Sequence, residues 1–119
     1  MKKILIVDDE PNIVMSLEYT FKKNNFEVFI ARDGQEALEI LKNQLPDVII
    51  LDVMMPMVDG YATLEQIKKE ERLKHCKVIF LTAKNKEKDI EKGLSLGANL
   101  YVLKPFSVKK LVEQVQGLI

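Results

Sequence analysis

Four short apolar runs, with no polar residue inside any of them, recur along this chain. Successive runs begin about 20 to 45 residues apart, which leaves room for at least one helix between them. They lie at residues 4–7, 48–51, 78–81 and 100–103. A strand with one face in water alternates apolar and polar side chains, so runs without alternation are typical of parallel strands covered on both faces. A fifth run, residues 26–31, has a charged residue inside it and indicates an edge strand.

Apolar residues spaced three and four apart lie between the runs and predict five helices. The first helix follows Pro11, a residue suited to a first helical turn. Asp33, with Glu36 three residues later, has the form of a capping box, and Gly97 predicts the end of the fourth helix. The predicted buried stripes are Ile13, Val14, Leu17 and Phe21; Ala37, Leu38 and Leu41; Leu64 and Ile67; Ile90 and Leu94; and Leu111, Val112, Val115 and Leu118.

Five strands alternating with five helices predict a single α/β domain over residues 1–119, with a doubly wound parallel sheet, because parallel neighbours need right-handed helical crossovers. The flavodoxin-like strand order 2-1-3-4-5 fits because it places the strand with the internal charge at an edge. In that order, the crevice between strands one and three is the expected ligand site.

The composition excludes several function classes. The 18 basic and 18 acidic residues cancel, so no overall field draws the chain to nucleic acid or to an anionic membrane. The apolar run in "MKKILIVDDE" is too short for a signal peptide, and no stretch approaches the roughly 20 apolar residues of a membrane span. We therefore expect a soluble, cytoplasmic domain that binds neither nucleic acid nor membrane directly.

Polar side chains stand where the predicted strands end. Asp8 and Asp9 follow the run at residues 4–7, Asp52 the run at 48–51, Thr82 the run at 78–81 and Lys104 the run at 100–103. Because the carboxyl ends of parallel strands meet at one edge of a sheet, these side chains are expected to converge. Each alone has an ordinary explanation as a surface or capping residue, but their joint placement favours a functional site.

These residue types indicate a particular chemistry. Three neighbouring carboxylates repel one another unless a cation is present, and oxygen ligands without His or Cys suit a hard cation such as Mg²⁺. Lys104 would supply a positive charge, and Thr82 a hydrogen bond, to the oxygens of a phosphoryl group. The residues predict a phosphoryl site with an aspartate available as nucleophile.

Over its whole length the chain resembles the receiver domains of two-component response regulators. The matching stretches are "ILIVDDEP", "DVIILDVMMP" followed by "DG", "FLTAK" and "GANLYVLKPF". No single stretch is decisive, but the set in this order and spacing is highly specific.

The resemblance implies a role for each site residue. Asp52 would take a phosphoryl group from a phosphohistidine of a sensor histidine kinase or a phosphotransfer protein. Asp9, Asp52 and the backbone carbonyl of Met54 would bind Mg²⁺, and Asp8 would act mainly through a metal-bound water. Lys104 would pair first with the aspartates and then with the phosphoryl group.

The resemblance also implies a conformational switch. Thr82 would move toward the phosphoryl oxygens, Tyr101 would turn into the vacated space, and the Lys104-Pro105 peptide bond would be cis. The face formed by the fourth helix, fifth strand and fifth helix would contact an output domain or protein and so transmit the signal. Such a domain promotes its own phosphorylation and hydrolysis and is not a turnover enzyme.

Some alternatives stay open at this point. The chain is either a stand-alone receiver or the first domain of a longer regulator. A phosphorylation-dependent homodimer is one further possibility, although Asn99, Leu100 and Gln114 stand where many DNA-binding relatives have charged residues. The competing function is a Mg²⁺-dependent phosphatase of the haloacid dehalogenase type, which needs an Asp-x-Asp pair after the first strand; here that spacing from Asp8 reaches Glu10.

Overall fold

The computed structural model describes residues Met1–Ile119 and confirms the alternation of five strands with five helices. The elements are β1 (Lys2–Val7), α1 (Pro11–Lys23), β2 (Phe26–Ala31), α2 (Gly34–Leu41), β3 (Val48–Leu51), α3 (Gly60–Lys69), β4 (Lys77–Thr82), α4 (Glu87–Ser95), β5 (Leu100–Leu103) and α5 (Val108–Leu118). A short 3-10 turn, Glu71–Leu73, lies between α3 and β4.

The five strands form one parallel sheet in the predicted order β2-β1-β3-β4-β5, with β2 at an edge. Val7 pairs with Ala31 on one side and with Leu51 on the other. Leu51 pairs in turn with Phe80, and Thr82 with Leu103. The carboxyl ends of the strands are therefore nearly level, and they form a single edge where functional side chains can meet.

Three of the apolar runs, those of β1, β3 and β4, do not alternate because helices cover both faces of the sheet. The prediction is wrong for the fourth run, because β5 lies at the second edge of the sheet and is only partly buried. Leu5 and Ile49 point into a core shared with α2 and α3, whereas Ile4 and Ile50 point into a second core shared with α1 and α5. Successive side chains of a strand point to opposite faces, so each central strand needs apolar residues at every position.

Side-chain caps and one glycine define several helix ends, and those at Asp33 and Gly97 lie where the sequence predicts them. The Asp33 carboxylate accepts a hydrogen bond from the Glu36 amide at 2.8 Å, and Asp59 accepts one from the Ala62 amide at 2.8 Å. Gly97, with φ of 111°, follows the last turn of α4 in a conformation that favours glycine. These caps set where α2 and α3 begin and where α4 stops.

One prediction about α4 is wrong. Leu94 was expected in the buried stripe, but its side chain is 45% exposed. The helix instead packs through Gly93, where an added Cβ would lie 2.8 Å from the Tyr101 ring and 3.0 Å from the Phe80 ring. This close approach centres the contact on Gly93, and the next residue along the helix is turned toward solvent.

Two further features complete the fold. The Lys104-Pro105 peptide bond is cis, as the resemblance implied. None of the helices combines the length and the apolar composition that crossing a membrane requires.

Candidate functional site

The candidate site lies at the carboxyl edge of the sheet, where backbone hydrogen bonds continue one residue beyond the strands. The Asp8 amide donates to the Ala31 carbonyl, and the Asp52 amide donates to the Val7 carbonyl at 3.0 Å. The Lys104 amide donates to the Thr82 carbonyl at 2.9 Å. The main chain at each of these residues is therefore held by the sheet, so their side chains start from fixed points.

The centre of the site is the ammonium group of Lys104. Its Nζ lies 2.9 Å from Asp8 Oδ2, 2.8 Å from Glu10 Oε1 and 3.1 Å from Asp52 Oδ2. The side chains of Asp8 and Asp52 are only 2% and 5% exposed. An ammonium group has three donors, and each of them here meets a different carboxylate.

Each buried aspartate also holds an amide of its own loop. Asp52 Oδ1 accepts a hydrogen bond from the Met54 amide at 3.0 Å, and Asp8 Oδ1 accepts one from the Glu10 amide at 2.9 Å. Short aspartate side chains favour such bonds to the amide two residues on. Both carboxylates are therefore oriented with Oδ1 toward the loop and Oδ2 toward Lys104.

Burial and charge act in opposite directions on these groups. Burial raises the pKa of Asp8 above its usual range, against the lowering effect of the Glu10 amide and Lys104. Burial alone would lower the pKa of Lys104, but its hydrogen bonds to Glu10, Asp8 and Asp52 outweigh burial and raise it. Lys104 is therefore firmly protonated, while the site disfavours the negative charge on Asp8.

The same carboxylates have the composition of a site for a hard cation. Oxygens of Asp8, Glu10 and Asp52 all lie within 4.8 Å of one another, and no nitrogen or sulfur ligand is among them. One ammonium cannot balance three ionised carboxylates, so the cluster can accept a further positive charge. An all-oxygen set of this kind fits Mg²⁺.

The structure brings together most, but not all, of the predicted site residues. Asp8, Asp52 and Lys104 are in direct contact, as expected. Asp9 is exposed and lies outside the group of converging carboxylates, so its role as a metal ligand stays a prediction. Glu10 takes a place in that group, although its position in the sequence indicated only that it is the wrong residue for a phosphatase pair.

The two predicted switch residues meet at Lys84, in the loop between β4 and α4. Thr82 is fully buried, and its Oγ1 accepts a hydrogen bond from the Lys84 amide at 3.3 Å. The Tyr101 hydroxyl donates to the Lys84 carbonyl at 2.9 Å. Burial, followed by the neighbouring Tyr61 hydroxyl, raises the pKa of Tyr101, so this phenol stays protonated as a donor.

The first residue of α3 rests against the backbone that carries Asp52. The Gly60 amide donates to the Val53 carbonyl at 2.9 Å. A Cβ at position 60 would lie 2.3 Å from the Asp52 carbonyl oxygen and 2.7 Å from the Val53 Cα. Only glycine allows the helix to start this close to the end of β3.

Comparisons with known proteins agree with this geometry. The family model of the response regulator receiver domain matches residues 4–116. Over 118 residues the chain is 40% identical to the alkaline phosphatase synthesis transcriptional regulatory protein PhoP of Bacillus subtilis, a match that covers 99% of this chain and 48% of PhoP. The chain therefore spans about half the length of this curated relative.

Solved structures match over the whole chain. Chemotaxis protein CheY4 of Vibrio cholerae superposes with a TM-score of 0.94 at 30% identity, covering 100% of this chain and 99% of that one. The response regulator TrrA of Thermotoga maritima, solved in complex with Mg²⁺-BeF, gives a TM-score of 0.87 at 35% identity over 100% of both chains. With nearly every residue inside the family model and the predicted strand order observed, the chain belongs to the receiver domains of two-component response regulators.

Proposed function

We propose that Asp52 accepts a phosphoryl group from a phosphohistidine of a sensor histidine kinase or phosphotransfer protein, and that the domain then changes conformation to control an output. The observation that carries this proposal is the Lys104 ammonium 3.1 Å from the buried Asp52 carboxylate. A nucleophile and a fixed positive charge are thereby available to the same phosphoryl group, as phosphoryl transfer requires.

The transfer follows from the orientation of the carboxylate. Asp52 Oδ2, the oxygen beside Lys104, would attack phosphorus; the new P–O bond forms as the P–N bond to the imidazole breaks, and the imidazole keeps the electron pair. The Met54 amide stays on Oδ1 and holds the carboxylate in place. The Lys104 ammonium then moves from the carboxylate to the phosphoryl oxygens, where the negative charge has moved. Its raised pKa supports this role because the group stays protonated.

Mg²⁺ is the proposed cofactor, and it would neutralise part of the charge on the phosphoryl oxygens when bound. The carboxylates that converge here, Asp8, Glu10 and Asp52, are suited to hold it. The resemblance instead gives Asp9, Asp52 and the Met54 carbonyl, with Asp8 acting through water. The complex of TrrA with Mg²⁺-BeF supports the choice of ion.

The two ligand sets can be distinguished by Mg²⁺ binding alone. Thermal unfolding would be followed at increasing Mg²⁺ for Asp9→Asn and Glu10→Gln, because an ion that binds only the folded state raises its stability. Weakened Mg²⁺ binding in Asp9→Asn alone supports the set implied by the resemblance. Weakened binding in Glu10→Gln alone supports the set of converging carboxylates.

The proposed output surface is the face formed by α4, β5 and α5. Two apolar side chains on it are partly open to solvent, Leu94 at 45% and Leu103 at 38%. Apolar side chains of this kind are suited to contact an output domain or protein. A phosphorylation-dependent homodimer through the same face, and a cytoplasmic location where the kinase would meet the domain, remain part of this proposal.

Acetyl phosphate and Mg²⁺ test the proposal. The protein is expected to take up one phosphoryl group, with a label that survives acid but not base, and Asp52→Asn should abolish it. Asp33→Asn is a matched control because asparagine can keep the α2 cap. We infer that the domain promotes its own phosphorylation and hydrolysis only. Sustained hydrolysis of phosphomonoesters would contradict this and point to the phosphatase alternative.

A further inference from the structure

Glu10 is the exposed member of the charged cluster around Lys104. Its side chain is 57% exposed, whereas those of Asp8, Asp52 and Lys104 are 2%, 5% and 10% exposed. Glu10 also lines an open groove, together with Lys104 and Phe106. Of the four charges, the Glu10 carboxylate is therefore the one most open to a phosphodonor that arrives from solution.

The Glu10 side chain is not used to start its own helix. Glu10 is the N-cap residue of α1, a position where the side chain commonly accepts a hydrogen bond from the first turn, but its carboxylate makes no such bond. The contact to Asp8 Oδ1 comes from the Glu10 amide and not from the side chain. The side chain instead reaches Lys104, with Oε1 2.8 Å from Nζ. The carboxylate is therefore committed to the proposed phosphoryl site and not to the fold of α1.

The contact with Lys104 determines how close a phosphodonor must come to Glu10. A phosphoryl oxygen that accepts a charge-assisted hydrogen bond from Lys104 lies about 2.8 Å from Nζ. Because Glu10 Oε1 lies 2.8 Å from the same nitrogen, the two oxygens are at most about 6 Å apart, whatever the angle between them. This separation is shorter than the screening length in physiological salt, about 8 Å, so the two negative groups repel. Lys104 cannot cancel the repulsion, because its single positive charge is already shared among three carboxylates.

We propose that Glu10 is a specificity-determining residue whose carboxylate slows the phosphorylation of Asp52 by small donors according to their negative charge, an inference that rests on the proposed function. A phosphorylated partner protein offsets the repulsion with contacts over its own surface, whereas a small anion has no such contacts. The like charge therefore discriminates against the small anion. In this way Glu10 favours a phosphohistidine presented by a protein over free acyl phosphates.

Two small donors of different charge test this role. At neutral pH acetyl phosphate carries one more negative charge than phosphoramidate. With either donor, Asp52 Oδ2 forms a bond to phosphorus as the bond to the leaving group breaks, and acetate or ammonia leaves with the electron pair. Glu10→Gln keeps an oxygen that can accept a hydrogen bond from Lys104 but removes the charge. The ratio of the acetyl phosphate rate to the phosphoramidate rate is expected to rise about three- to thirty-fold in Glu10→Gln.

Two controls separate charge from other effects. Mg²⁺ is raised until each rate no longer increases, so a change in Mg²⁺ affinity does not alter the ratio. Glu71→Gln is the matched variant, because Glu71 also pairs with a lysine, Lys74 at 2.7 Å, but precedes β4 and so lies toward the amino edge of the sheet. This variant should leave the ratio unchanged. Added salt should shrink the difference between Glu10→Gln and the wild type, because salt screens exposed charges.

The ratio distinguishes a charge effect from structural support. A role of Glu10 confined to structure or to Mg²⁺ binding affects both donors alike, so an unchanged or lower ratio in Glu10→Gln would overturn the inference. A rise of similar size in Glu71→Gln, or a rise that is the same at low and high salt, would also overturn it. Failure of the wild type to take up a phosphoryl group from either donor would instead overturn the proposed function.

Discussion

The Lys104 ammonium forms ion pairs with three carboxylates, of which those of Asp8 and Asp52 are almost fully buried. A buried charge is costly unless it is paired, and a single ammonium leaves this group of residues with an excess of negative charge. In the absence of a metal ion, the site therefore costs the protein stability at the place where its proposed chemistry occurs. Such a compromise between stability and function is common at functional sites.

Replacing Asp52 tests this charge balance. Asp52→Asn removes one negative charge, and the asparagine oxygen can still accept a hydrogen bond from the Met54 amide. Without Mg²⁺ the variant is expected to be more stable than the wild type by about 1 kcal/mol, in line with the size of single-residue effects. Urea unfolding measures the difference, with Asp33→Asn as control. Equal or lower stability of Asp52→Asn would show that the excess negative charge does not destabilise the folded protein.

Asp8 gives the stability a pH dependence. Because burial raises the pKa of Asp8 in the folded state, its contribution to stability is fully present below the unfolded-state value and is lost as pH rises through the folded-state pKa. Asp8→Asn cannot ionise, so it should gain stability relative to the wild type as pH rises from about 3 to about 7. Urea unfolding at several pH values without Mg²⁺ measures this. A difference that is constant with pH would count against it.

The junction between β3 and α3 is the element on which the acceptor depends. The strand delivers Asp52, and α3 begins at Gly60 in direct contact with the Asp52 backbone. The helix can approach only because Gly60 has no side chain. The start of α3 therefore fixes the position of Asp52. It also fixes the direction of the Tyr61 side chain, whose hydroxyl donates a hydrogen bond to the Asp89 carbonyl of α4.

Gly60→Ala should disturb this junction. The added Cβ would meet backbone atoms at 2.3 and 2.7 Å, which cannot rotate away, so α3 must shift. The expected cost is about 1 to 3 kcal/mol, with slower phosphorylation by acetyl phosphate. The matched control is Gly117→Ala in α5, where the Cβ meets no atom within 4 Å and the helix should gain about 0.5 to 1 kcal/mol. Equal effects of the two changes in chemical denaturation would rule out the proposed contact.

At the scale of the whole molecule, the reactivity of the Cys76 thiol measures how often the protein unfolds globally. Its thiol is buried and donates a hydrogen bond to the Pro46 carbonyl, and burial raises its pKa. A thiol reagent at pH 8 should therefore react at least about 10³-fold more slowly with the native protein than with the protein in urea, since reaction requires unfolding. Rates within about tenfold of each other would show that the core around Cys76 opens locally.

The parts of this molecule that follow from regular sheet geometry could be predicted from sequence. Unbroken apolar runs identify the buried strands β1, β3 and β4, although the run at residues 100–103 forms the partly exposed edge strand β5. The first polar residue after each run stands at the carboxyl edge of the sheet, which located Asp8, Asp52 and Lys104. Glu10 was missed because it is the third residue beyond the end of β1. No spacing rule tells whether a loop side chain there turns back toward the sheet or, like Asp9, out to solvent.

Contacts between distant segments could not be predicted from sequence either, because no local pattern shows which segments the fold brings together. Leu94 fits a buried stripe by periodicity, but the depth of α4 is set by Gly93 against two aromatic rings supplied by β4 and β5. Tyr61 reads as an ordinary core residue of α3. Its hydroxyl partner lies 28 positions away, and only the folded chain brings the two together.

Identification of the phosphorylated residue tests the proposed function most directly, because Asp52 itself is expected to carry the phosphoryl group. After incubation with acetyl phosphate and Mg²⁺, borohydride reduction converts an aspartyl phosphate to homoserine, and peptide mass spectrometry then identifies the residue. Homoserine is expected at position 52 alone, and only when both acetyl phosphate and Mg²⁺ are present. Homoserine at Asp8, Asp9 or another aspartate, or no conversion of a protein shown to be folded, would contradict it.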